Sequence, residues 1–168
     1  MGGDVRNQAA GEIMTSVAVG AAAPGFDLAT DEGALSLAGL KGRKVVLYFY
    51  PKDDTPGCTR EAIDFTALAG EFAAADTVVI GVSKDTVARH ARFRAKYDLV
   101  VRLASDPDGG VIERYGSWVE KSLYGRKYMG IDRSTFLIGR DGRVAQIWRK
   151  VKVPGHAEAV LAAAKALG

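Results

Sequence analysis

The stretch Lys44–Tyr50 (KVVLYFY) is an unbroken apolar and aromatic run that stops abruptly at Pro51–Gly57 (PKDDTPG). A run that is apolar at every position, rather than at alternate ones, has the pattern of a strand buried on both faces. The segment after it packs two prolines, two aspartates and a glycine into seven residues, which reads as a loop. Past the loop, Phe65, Leu68, Ala69 and Phe72 recur at helical spacing, and the spacing predicts an amphipathic helix over Thr59–Ala75. The unit is a buried strand, a tight loop and a helix, with Cys58 at the point where the loop becomes the helix.

The same reading extends outward in both directions. Phe26–Thr30 and Ala34–Leu37 flank Asp31-Glu32-Gly33 as a short hairpin. Thr77–Ser83 (TVVIGVS) is a second buried strand, and Asp85 is placed to cap a helix over Thr86–Tyr97. Val100–Ala104 is a third strand, followed by a turn at Asp106–Gly110 and a short helix near Val111–Tyr115. Trp118–Gly130 has no clear period and reads as a loop with functional contacts. Ser134–Gly139 and Arg143–Val151 form a hairpin around Asp141-Gly142, and Ala157–Leu167 closes the chain as an alanine-rich helix. This alternation implies an α/β fold, a mixed β-sheet flanked by helices with right-handed crossovers. The final hairpin and helix point to a thioredoxin-like arrangement carrying an N-terminal hairpin extension.

A chain of 168 residues fits one domain, expected over residues 17–168. Residues 1–16 carry scattered charge and no apolar core of a signal peptide, so they read as a flexible leader or tag. Net charge is +3 with no dense basic run, which disfavours nucleic acid as a partner. No apolar stretch approaches the roughly 18 residues of a membrane span. A single cysteine excludes an internal disulfide, a CxxC pair and a cysteine zinc site. A cytoplasmic protein that uses a lone thiol is expected.

Amides in the first turn of a helix lack intrahelical acceptors, and the helix dipole adds partial positive charge there. Both favour a thiolate, the nucleophilic form of cysteine. The competing reading is that Cys58 is a small buried hydrophobe. Its position after a Pro/Gly turn favours chemistry. Pro56-Gly57 suits a helix entry where backbone must come close to a small ligand. Thr55 either caps the helix or points its hydroxyl at the same site. Glu61 either completes a capping box or orients a distant arginine. Asp53 and Asp54 would be poor neighbours for a thiolate and are expected to face solvent. His90 and His156 read as structural or exposed, and no His/Asp/Glu spacing suggests a metal. Trp118, Tyr124 and Tyr128 are core or pocket rim, Trp148 packs the last hairpin, and Arg133 alone reads as a surface charge. No phosphate loop or other cofactor motif is present, so no cofactor is expected.

Pro51-Lys52-Asp53-Asp54-Thr55-Pro56-Gly57-Cys58 resembles the P-x-x-x-T-x-x-C motif of peroxiredoxins. FYPKDDTPGCTREA (Phe49–Ala62) and YGSWVEKSLYGRKYMGIDRSTFLI (Tyr115–Ile138) are similar to two blocks of the Q-type, or bacterioferritin-comigratory, subfamily. The resemblance implies a thiol peroxidase acting on hydrogen peroxide and organic hydroperoxides. It makes Cys58 the peroxidatic cysteine, shielded by Pro51, with Thr55 bonding thiolate and peroxide. The Gly57 amide joins the oxyanion-stabilising groups, Arg133 is the active-site arginine, and Glu61 helps hold it. A monomer or weak homodimer is also implied.

The chain departs from the subfamily at one decisive point. Many Q-type members carry a resolving cysteine five residues after the peroxidatic one, where this chain has Ile63; others place it on the next helix, and Thr86–Tyr97 has none. The sulfenic acid therefore needs an external thiol reductant: a thioredoxin, a glutaredoxin, a low-molecular-weight thiol or a second copy's Cys58. Two other readings compete with the enzyme: a redox adaptor signalling through mixed disulfides, and an inert thioredoxin-like binding module.

Overall fold

Strand β3 (Lys44–Phe49) is buried at all six positions because layers of structure cover both of its faces. The computed structural model describes residues 17–168, so the expected leader over residues 1–16 lies outside the described residues. Along β3, Val46 and Tyr48, with Tyr50 just beyond, pack with Cys58, Ala62, Phe65, Phe72, Phe93 and Val160. The alternate residues Val45, Leu47 and Phe49 pack with Ile80, Val82, Ile112, Tyr115 and Phe136. Side chains of a strand point to opposite faces in turn, so one apolar run serves two cores.

The main sheet has seven strands in the order β2-β1-β5-β4-β3-β8-β9. These are β1 (Asp27–Thr30), β2 (Gly33–Ser36), β4 (Thr77–Ser83), β5 (Arg102–Ser105), β8 (Ser134–Ile138) and β9 (Val144–Trp148), with β3 between β4 and β8. β3, β4 and β5 run parallel; β8 pairs antiparallel with β3, and β1 with β5. One face carries α1 (Pro56–Ala67), α2 (Ala69–Ala74), α3 (Val87–Tyr97) and α5 (His156–Leu167), and α4 (Gly110–Arg114) packs on the other. This is the expected mixed α/β thioredoxin-like fold with its N-terminal hairpin.

Three local expectations are corrected. The helix over Thr59–Ala75 begins earlier, at Pro56, and is divided at Leu68. Proline is tolerated in a first helical turn, so the loop composition concealed the start. Asp85 does not cap α3; Thr86 does, its Oγ1 accepting from the Arg89 amide at 3.2 Å. Trp118–Gly130 is not a loop but a separate antiparallel ribbon, β6 (Trp118–Leu123) with β7 (Arg126–Ile131). Tyr124 and Gly125 form its turn, both at positive φ (51° and 78°), the conformation of a tight hairpin turn. Tyr124, at the tip, is almost wholly exposed, and Tyr128 and Met129 are half exposed.

The close approach of Tyr48 to β4 explains Gly81. These two residues are paired across β3 and β4, and a Cβ on Gly81 would fall 2.6 Å from Tyr48 Cζ and 2.7 Å from its hydroxyl oxygen. Tyr48 cannot swing aside, because it stacks on Phe65 with ring centroids 4.8 Å apart. Alanine in place of glycine normally strengthens a strand by roughly 0.5–1 kcal/mol. Here overpacking outweighs that gain: Gly81→Ala should lower unfolding stability by about 1–3 kcal/mol in urea titration.

Candidate active site

Cys58 is the third residue of α1, so its amide lies in the first turn, where helix geometry supplies no acceptor. The side chain is 1 % exposed and packs into the core under Tyr48 and Tyr50. Its Sγ lies 3.4 Å from Nη2 of Arg133, and Nη1 of the same guanidinium donates to Glu61 Oε1 at 2.7 Å. Arg133, Glu61, Cys58 and Gly57 are thus brought together from one helix and from the link between β7 and β8.

The backbone of that link is held on both sides of Arg133. The Asp132 amide donates to Ser117 O at 2.7 Å, Ser134 Oγ donates to Asp132 O at 3.0 Å, and the Val151 amide donates to Arg133 O at 2.9 Å. The same geometry crowds position 57. A Cβ there would sit 3.1 Å from Arg133 Nη2, tighter than ordinary contact allows.

Thr55 is the N-cap residue by position, with extended backbone (φ −101°, ψ 157°), but its side chain does not cap. The hydroxyl donates instead to Lys52 O at 2.9 Å. With that hydrogen committed, the Thr55 hydroxyl has only its lone pairs left to offer, and it does not reach the thiol as expected. Pro51 is exposed at the end of β3. Asp54 is exposed, as expected, and is held by Lys96 at 2.8 Å and Tyr97 at 2.6 Å. Asp53 is the correction: it is buried, accepting from the Tyr50 hydroxyl at 2.5 Å and meeting His90 Nδ1 at 2.7 Å. Asp53, Asp85 and His90 bring potential ligand atoms within 4.8 Å of one another. The 2.7 Å contact is a hydrogen bond, whereas neighbouring ligands on a tetrahedral zinc stand about 3.3 Å apart.

Burial pushes Glu61 up to about 7 against the opposing pull of Arg133. For Arg133, burial works against the charge, but the negative charges of Glu61 and Cys58 more than offset it. The guanidinium therefore stays charged, and Glu61 is the member of the pair whose proton comes and goes. Glu61 Oε2 and the Tyr48 hydroxyl are buried without hydrogen-bond partners among the described residues. His156 is held neutral, pushed down to about 4 by burial and the nearby Arg133, and its Nε2 meets Thr135 Oγ1 at 2.8 Å. A lone thiol against an arginine–glutamate pair, at a helix start under a tight loop, defines a cysteine nucleophile built to attack an electrophile that releases negative charge.

Comparison with known proteins agrees. The AhpC/TSA family model matches residues 19–147. A putative peroxiredoxin bcp of Coxiella burnetii is 52 % identical over 147 residues, spanning 87 % of this chain and 97 % of its own. Among solved structures, the Xanthomonas campestris bacterioferritin comigratory protein, studied for alkyl peroxide reduction, superposes with a TM-score of 0.80. It is 46 % identical and covers 84 % of this chain and 90 % of its own. A cysteine variant of Xylella fastidiosa PrxQ gives a TM-score of 0.85 at 38 % identity, covering 90 % and 97 %. The fold and site define a thiol peroxidase. The chain belongs to the AhpC/TSA family as a peroxiredoxin of the Q, or Bcp, type without a resolving cysteine.

The titration of Glu61 has a testable sign. Unfolded, Glu61 ionises near 4.5; folded, it keeps its proton up to about 7. The folded state binds the extra proton, so this contribution to stability is full below pH 4.5 and is lost as pH rises through 7. Glu61→Gln removes this titration and leaves His156 unchanged. Across that interval the wild type should lose up to about 3 kcal/mol relative to the variant, read by urea unfolding at each pH.

Proposed function

We propose that Cys58 is the peroxidatic residue of a one-cysteine cycle, with Arg133, Thr55 and the Gly57 and Cys58 amides around the reacting oxygens. The observation that carries this is the 3.4 Å contact between Arg133 and Sγ at the first turn of α1. The thiolate attacks one peroxide oxygen in line with the O–O bond. An S–O bond forms, the O–O bond breaks, sulfur is oxidised to sulfenic acid, and the electron pair leaves on the departing oxygen as alkoxide or hydroxide. A proton from solvent completes the alcohol or water. Arg133 spans the starting charge on sulfur and, through its remaining donors, the charge emerging on oxygen. Thr55, its own hydrogen given to Lys52 O, accepts from the hydroperoxide, and Pro51 screens the mouth of the loop. Glu61 keeps the guanidinium aimed.

Both hydrogen peroxide and organic hydroperoxides are proposed substrates; the alkyl peroxide reduction named for the Xanthomonas campestris relative supports the second class. Regeneration consumes two thiols. The first condenses with the sulfenic acid to a mixed disulfide and water, and the second displaces Cys58 and leaves as disulfide. Thioredoxin, glutaredoxin and low-molecular-weight thiols are the proposed reductants, in the cytoplasm, where thiols stay reduced. The described residues contain no helix long and apolar enough to cross a membrane. The oligomeric state proposed is a monomer or weak homodimer.

The reading is tested by peroxide consumption with each thiol in turn. Turnover should require the thiol and vanish in Cys58→Ser; a variant that keeps turning over would sink it. Without reductant, intact mass after graded peroxide should show adducts of about +16 and then +32 Da. Prompt conversion to a disulfide-linked dimer with neither adduct would contradict recycling by an external thiol. Because Ile63 replaces the resolving position, α1 has no reason to unwind. Its amides should keep their hydrogen-exchange protection on oxidation, and loss of that protection would count against the one-cysteine cycle.

A further inference from the structure

The loop Pro51–Gly57 that shapes the mouth of the site has one fully buried side chain, Asp53, and what grips it lies 37 residues away in sequence. His90, on α3, is completely buried. Its Nδ1 is 2.7 Å from Asp53 Oδ2, and its Nε2 is 3.1 Å from the carbonyl oxygen of Ala104 on β5. A carbonyl oxygen only accepts, so Nε2 carries a hydrogen. Asp53 accepts from the Tyr50 hydroxyl on Oδ1, and its Oδ2 shares one hydrogen with Nδ1. The Tyr50 hydroxyl, 3.4 Å from Nδ1, is committed to Asp53. The imidazole, bonded through both nitrogens, therefore ties the loop to the parallel sheet.

Around this pair the loop backbone is fixed as well. The Asp53 amide donates to Asp85 Oδ2 at 2.9 Å, and that oxygen also accepts from Ser83 Oγ at 2.7 Å. Arg89 holds the other oxygen of Asp85 at 3.1 Å. The next residue, Asp54, has a φ of 60°, the left-handed conformation that aspartate tolerates in turns. Thr55 and Gly57 follow directly. A side chain that holds Asp53 in place thus sets where the Thr55 lone pairs and the Gly57 amide point.

We propose that His90 is a positioning residue of the peroxidase: bonded to both Asp53 and Ala104 O, it holds the Pro51–Gly57 loop in the geometry that receives the hydroperoxide. It acts through Asp53 and touches neither substrate nor sulfur. The proposal rests on Cys58 being the peroxidatic thiol, and its test separates the two ideas. Cys58 is exposed in turn to hydrogen peroxide, whose reaction needs the loop, and to iodoacetamide, which needs only the thiolate.

In His90→Leu the peroxide rate constant should fall about 10- to 100-fold while alkylation changes by less than about threefold. His90→Asn keeps a hydrogen-bonding group where Nδ1 stood and should bring the peroxide rate back to within about threefold of wild type. A folded His90→Leu that reacts with peroxide as fast as wild type would overturn the proposal. So would equal loss of both rates, the mark of a merely structural residue, or failure of His90→Asn to recover. Should His90→Leu not fold, the wild type still decides. A two-bond proton–nitrogen spectrum of histidine-labelled protein should show Nε2 of His90 carrying its hydrogen, and a bare Nε2 would refute the assignment. If wild-type Cys58 itself reacts with peroxide no faster than a free thiolate, the peroxidase reading fails instead, and the nitrogen spectrum is unaffected.

Discussion

The Arg133 guanidinium reaches Glu61 at 2.7 Å with one nitrogen and Cys58 Sγ at 3.4 Å with another, and much of the surrounding structure serves that double contact. Burying an ion pair gains little stability, because desolvation opposes the Coulomb attraction. Glu61 shows this directly, since burial outweighs its arginine and pushes it up to about 7. The pair sets a cation with donors to spare beside the Cys58 sulfur, the arrangement on which the proposed peroxide chemistry rests. Gly57, crowded by the guanidinium, and the anchored backbone on either side of Arg133 belong to that arrangement.

A second constraint meets the first at Cys58. The loop before α1 turns through a left-handed Asp54 and keeps only Asp53 buried, against His90 and Tyr50. One set of contacts fixes the sulfur and its arginine, and the other fixes the loop that leads into α1. Between them lie a Tyr48 hydroxyl and a Glu61 oxygen, both buried and without hydrogen-bond partners among the described residues, an arrangement that a purely structural core would avoid. The two apolar layers on either face of β3 supply the stability that tolerates these groups.

What was legible in the sequence followed contact range. KVVLYFY could be read as a doubly buried strand because its residues carry both core faces themselves, whereas the Pro/Gly composition of the loop hid the first turn of α1, which begins at Pro56. The β6–β7 ribbon escaped notice because it lies outside the main sheet, with long exposed side chains and little apolar alternation. Asp53 was misread as solvent-facing because its partner is 37 residues on, and nothing local marks an aspartate for burial. Arg133 lies 75 residues from Cys58, so its place at the sulfur came from resemblance to a family and not from any local pattern. The Thr55 hydroxyl, expected on the thiolate, is turned toward Lys52 O, a local turn bond that competes with any distant acceptor.

The most direct measurement of the central claim is stopped-flow tryptophan fluorescence, with Trp118 and Trp148 as the two reporters, on mixing reduced protein with hydrogen peroxide. Removing the guanidinium by Arg133→Gln should slow Cys58 oxidation by about 10²–10³-fold, the usual consequence of losing a donor aimed at developing charge. An Arg133→Gln protein that reacts within about threefold of the wild type would contradict the role given to that contact.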